Sequence, residues 1–168
     1  MNLLFCIAQL EAQGAAIVQM VSGLTPAQTR WKPKPSAWSV LEVLNHLIDE
    51  EREDFPARLR IVLSNSDERW APIAPQAWVR QRGYNRRDLR QSIAAFQAER
   101  LGSLAWLRTL PPRPAWRRRY RYGTLTAGDL LVAWTAHDVL HLRQLTELRY
   151  ALISRDGEPF SPSYAGEW

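Results

Sequence analysis

The sequence predicts an all-α protein, a four-helix bundle with long crossover connections. Three observations carry that prediction. Apolar residues recur at helical spacing through four long stretches, no run alternates apolar and polar residues as a strand would, and Ser39 and Thr126 open two of the stretches while Gly23 and the Pro111–Pro112 pair close the other two. A length of 168 residues suits one domain over 1–168 with a sizeable core.

The first helix is expected over 2–22 and stops near Gly23, followed by a loop in which Pro26 starts one short turn. The second begins at "SVLE", where Ser39 and Glu42 stand in capping-box spacing, and runs towards Leu63. Pro56 lies inside it and removes a backbone donor, so a bend is expected near Phe55. A long connection, "SNSDERWAPIAPQAWVRQRGYN", leads to a third helix over 86–110, closed by Pro111 and Pro112. The fourth starts after "GTLT", with Thr126 as cap and Asp129 three residues on, and ends near Ile153; a loop follows to Trp168. Helices of this length joined by long connections point to a bundle with crossovers.

The formal charge is +5 and the pI about 9.9, with Lys32 and Lys34 the only lysines among 22 basic residues. Seventeen acidic residues are interspersed, and "RRRYRY" at 117–122 is the one dense basic run, so a solvated loop is favoured over a nucleic-acid surface. The single cysteine, Cys6, excludes an internal disulfide and a cysteine-type zinc site; a metal here must rest on histidine and carboxylate. The N-terminal stretch lacks a basic start, is interrupted by Glu11 and falls short of about 20 uninterrupted apolar residues. The expectation is a soluble cytoplasmic protein with no membrane partner.

The chain has only three histidines, and two of them, His137 and His141, stand four apart in "WTAHDVLHLRQL". At 100° per residue both fall in the apolar arc that Leu130, Trp134, Leu145 and Leu148 define. A turn apart, their rings can converge on one ion. The alternative is that each is a core histidine satisfied by a neighbouring side chain or carbonyl. The metalloprotease motif is excluded, because Asp138 stands where that motif needs Glu. His46, on the second helix, lies just outside the arc of Val40, Val43, Leu44, Leu47 and Ile48, beside Glu42, Asp49, Glu50 and Glu53. It is either solvent-exposed or part of a polar cavity in which carboxylates orient a ligating ring or handle a proton.

The segments "WSVLEVLNHLIDEE", "LPPRPAWRRRYRYG" and "YGTLTAGDLLVAWTAHDVLHLRQLTEL" resemble, in that order, the DinB-like family, which includes YfiT-type metal-dependent hydrolases and thiol S-transferases. The likeness includes Trp38 eight residues before His46, Gly123 and Thr126 opening the last helix, and "HDxxHLxQ" from His137, Asp138, His141, Leu142 and Gln144. It implies a four-helix bundle, a divalent metal held by His46, His137 and His141, and a homodimer.

The leading expectation is a metalloenzyme that joins a low-molecular-weight thiol to an electrophile, or hydrolyses a related bond. Three neutral histidines leave coordination positions open, and zinc, nickel, manganese or iron suits such a site. Glu50 and Asp49 are the candidates for proton transfer or ligand support. Arg117, Arg118, Arg119 and Arg121 are candidates to attract an anionic thiol, and Trp31, Trp38, Trp70 and Trp78 to wall a pocket. A noncatalytic metal-binding stress protein is the first alternative and a nucleic-acid binder the second.

Overall fold

Side-chain caps set where five of the α-helices begin, in a computed structural model that describes residues 2–111 and 115–166. Asn2 caps α1 (Leu3–Val21) by accepting from the Phe5 N–H, and Thr25 with Gln28 forms a capping box on the short α2 (Pro26–Arg30). The expected boxes are present on α3 (Val40–Asp49), from Ser39 and Glu42, and on α7 (Ala127–Asp156), from Thr126 and Asp129. Asp88 caps α6 (Leu89–Thr109). The long helices α1, α3 with its continuation, α6 and α7 form the four-helix bundle. Pro112, expected to help close the third helix, lies outside the described residues, as do Arg113, Pro114 and Trp168.

Pro56 acts as its chemistry requires, though by a different device than a plain bend. Helix α3 ends at Asp49, a π-helical turn spans Glu50–Asp54, and α4 (Phe55–Ser64) resumes with Pro56 in its first turn, where a missing N–H costs nothing. The Phe55 N–H reaches back five residues to the Glu50 carbonyl. Asn65, in the left-handed region at φ 59°, then stops α4.

The long connection contains more structure than its sequence announced: α5 (Pro75–Gln81) and a 3-10 turn at Tyr84–Arg86. Both pack against α3, with Trp78, Val79 and Tyr84 buried in a small cluster of their own. Every residue of α3 is buried, and His46 is 4 % exposed beside Trp38, His137 and His141. The solvent-exposed reading of His46 is therefore wrong.

By length and composition α1 is apolar enough to cross a membrane. In the bundle its inner face, Cys6, Leu10, Ile17 and Val21, is buried against α6 and α7.

The core divides into two apolar clusters, one including Leu10, Leu59, Leu107 and Trp134, the other Ile17, Val43, Phe96 and Leu145. On each long helix a polar residue separates the two. Arg100 of α6 donates to both carboxylate oxygens of Asp138 on α7 at 2.6 and 3.0 Å, to Glu51 at 2.9 Å and to the Leu10 carbonyl at 2.7 Å. Ser103 and the Trp134 indole N–H donate to the same Glu51 carboxylate. Gly14 makes room for this cation, because a Cβ there would meet Arg100 Cγ at 3.3 Å. Replacing Arg100 with Met leaves two buried carboxylates without their cation. We expect Arg100→Met to lower the unfolding free energy by about 3–5 kcal/mol in chemical denaturation.

Candidate metal centre

His46 reaches the site from the second turn of α3, and His137 and His141 from successive turns of α7. The two α7 rings do not enter the packed core that their apolar arc suggested; they are half-buried and line a cavity of about 740 Å³ between α7, the π-turn, the loop at 33–38, Ile73 and the first residues of α5. His137 Nε2 lies 3.4 Å from His46 Nε2 and 3.2 Å from His141 Nε2. All three ligand atoms fall within 4.8 Å of one another. A tetrahedral ion with metal–nitrogen bonds of about 2.0–2.1 Å sets its ligand nitrogens about 3.4 Å apart.

The outer ring nitrogens explain why the inner ones are acceptors. His141 Nδ1 is 2.9 Å from Gln144 Oε1, an acceptor, so the proton sits on Nδ1 and the Nε2 lone pair faces the cluster. His46 Nδ1 lies 3.5 Å from Glu50 Oε1, one turn on, both atoms buried and without a hydrogen bond. Burial, then the neighbouring imidazoles, pushes the His46 ring down to about 3; burial, then His141 and Arg100, does the same for His137. Burial also lowers His141, against Gln144 and Asp138. At neutral pH the cluster is thus three uncharged rings whose Nε2 atoms meet at one point, where any two lone pairs repel unless a cation or a proton lies between them. The donor set fits a divalent metal.

The π-turn aligns the acidic side of the cavity. Eight residues of regular α-helix rotate about 80° past full turns, whereas the wider π-turn lessens that drift. His46, Glu50 and Asp54 accordingly all line the cavity, followed by Phe55. Glu50 is buried, and desolvation, with a hydrogen bond and like charge from Asp54, raises its carboxyl to about 8. Asp54 is tied to Arg58 at 2.7 Å.

Other candidate residues fare differently. Asp49 is buried away from the cavity, accepting from Arg82 at 2.6 Å and from the Tyr84 hydroxyl, so its carboxylate serves the cover over α3 rather than the site. None of Arg117, Arg118, Arg119 and Arg121 lines the cavity. Arg118 donates to the Leu63 carbonyl and Arg121 pairs with Asp67 at 2.6 Å, which holds the 115–125 loop onto the end of α4. Of the tryptophans, Trp38 alone of the four lines the cavity; Trp70 stacks on Tyr120, Trp78 is buried under Arg82, and Trp31 lies beneath Arg155. Sequence reasoning missed Asp54 and Phe55 as site residues. Their signal was Pro56, which marks a disturbed turn directly after the carboxylate run.

We expect His46→Ala, His137→Ala and His141→Ala each to reduce bound divalent metal below one per chain, measured by elemental analysis after dialysis. Full retention in any one variant removes that residue from the ligand set.

The comparisons with known proteins agree with this architecture. A family model described as the DinB superfamily matches residues 9–145. Among solved structures, the chain is similar to YfiT from Bacillus subtilis, described as a probable metal-dependent hydrolase with an unusual four-helix bundle topology. The two share 23 % identity and a TM-score of 0.76, over 89 % of this chain and 87 % of that one. No curated protein matches the sequence.

Proposed function

This chain belongs to the DinB superfamily, and from that premise we propose that it is a metal-dependent enzyme that transfers a low-molecular-weight thiol to an electrophile. The observation that carries the reading is the convergence of three uncharged imidazoles, His46, His137 and His141, on the wall of a cavity large enough for a small molecule. Bound by them, a divalent ion such as zinc, nickel, manganese or iron would supply the positive charge that makes a thiol or water more acidic. The remaining chemistry falls to the protein's own side chains.

Glu50 is the proton acceptor. Alone it holds its proton up to about pH 8, and a cation at the neighbouring histidines draws it back towards the charged form. In the transfer the sulfhydryl proton passes to the Glu50 carboxylate, sulfur bonds to the electrophilic carbon, and the leaving group departs with its electron pair. Asp54, anchored by Arg58, receives a hydrogen bond from protonated Glu50 and holds that proton near the cavity. Gln144 keeps the His141 ring in one orientation. Trp38 and Phe55 exclude water from the faces of the histidines they cover.

The Glu50–Asp54 carboxyl pair also suits a water-derived proton, and the description of YfiT as a probable hydrolase supports hydrolysis as the second reading. The expected homodimer belongs to the same proposal; exposed Phe5, Val132 and Val139 on α1 and α7 support it.

Metal-loaded protein incubated with a panel of cellular thiols and 1-chloro-2,4-dinitrobenzene is expected to form the thioether faster than His141→Ala does, with Glu50→Gln slower than wild type by about 100-fold or more. If no thiol exceeds the His141→Ala rate, transfer is wrong. Ester cleavage under the same conditions would then favour hydrolysis, and inertness to both would favour a noncatalytic metal protein.

A further inference from the structure

Two aromatic rings flank the three imidazoles on the cavity side. Trp38 stands edge-on to His46, 5.0 Å between ring centroids, and parallel to His141 at 6.3 Å. Phe55 lies 5.1 Å from the His137 ring. Both rings are half-buried and both line the cavity, so each leaves part of its surface uncovered there. They come from unrelated parts of the chain, a loop before α3 and the first turn of α4. Ile73 and Pro75, from the connection that packs over α3, continue the apolar wall. The charged groups along the cavity are few: Glu50 and Asp54 beside the histidines, and exposed Lys34 and Glu147.

Resting on the catalytic reading above, we propose that Trp38 and Phe55 are specificity-determining residues, and that the substrate carries a flat apolar group, aromatic or conjugated, next to its reacting atom. With three Nε2 atoms converging from one side, any group that reacts at the cluster must sit on the other, in the cavity, where these two rings are its neighbours. At about 740 Å³ the cavity is in the range of small-molecule pockets, roughly 300–1,000 Å³, and far larger than a sulfhydryl and a water require. A flat group there covers the exposed parts of both rings and gains burial together with offset or edge-on ring contacts. A small polar electrophile gains neither.

The test separates recognition from reaction by using an inert probe. Isothermal titration calorimetry would measure 2-naphthol, with acetamide as the polar control, on metal-loaded wild type, Trp38→Ala, Phe55→Ala and the milder Trp38→Phe and Phe55→Leu. The proposal expects wild type to bind naphthol and not acetamide. It also expects affinity to fall about tenfold or more in Trp38→Ala and Phe55→Leu while bound metal per chain stays constant. Should an alanine variant lose metal or unfold, Phe55→Leu decides, since it keeps apolar bulk and loses only the flat face. Naphthol affinity equal to wild type in that variant, or no naphthol binding by wild type, overturns the proposal. Because naphthol does not react, intact binding without any thiol transfer would refute the proposed reaction and leave the recognition standing.

Discussion

Arg100 crosses the middle of the bundle with every bond of its guanidinium inside the protein: to Asp138 on α7, to Glu51 in the π-turn and to the Leu10 carbonyl on α1. A buried cation with two buried carboxylates gains little net stability over apolar packing, yet losing one partner is costly, so the arrangement tolerates few alternatives. Its effect on the site follows from chain neighbours. Glu51 is adjacent to Glu50 and Asp138 to His137, and adjacent residues on a helix point about 100° apart. Pinning Glu51 and Asp138 inward therefore turns Glu50 and His137 towards the cavity. The two apolar clusters on either side of this layer fix its height in the bundle.

The π-turn completes the arrangement. It lets a single helical segment carry His46, Glu50, Asp54 and Phe55 to one cavity while Glu51 still faces the core. Pro56 stabilises this interruption, because the backbone donor that a regular helix would need at that position does not exist. One histidine of the cluster, a buried carboxyl pair and an aromatic wall thus come from ten consecutive residues. The opposing helix supplies the other two histidines and Gln144, which orients the His141 ring.

The parts of this structure that were legible in the sequence are those governed by neighbours in the chain. Ser39 with Glu42 and Thr126 with Asp129 announce helix starts, and His137 with His141 announces a shared face, because helical spacing alone decides these. The burial of His46 was not legible, since the rings packed beside it come from elsewhere in the chain, Trp38 from the loop before α3 and His137 and His141 from α7. Nor was the fate of Asp49, whose partners Arg82 and Tyr84 lie 33 and 35 residues away. Arg100 carries no local sign of its role for the same reason: its carboxylate partners are 49 and 38 residues distant. The "RRRYRY" run lies in a loop, as its interspersed acidic surroundings favoured, with Arg118 bonded to the end of α4 and Arg121 to Asp67.

The account rests on three imidazole nitrogens meeting at one ion, and X-ray absorption at the metal edge of purified, metal-loaded protein examines that directly. It predicts a first shell containing three nitrogen scatterers at about 2.0–2.1 Å for zinc, with the outer-shell features of imidazole rings, and two such nitrogens in His46→Ala. A first shell of oxygen without imidazole features, or one unchanged in His46→Ala, would contradict it.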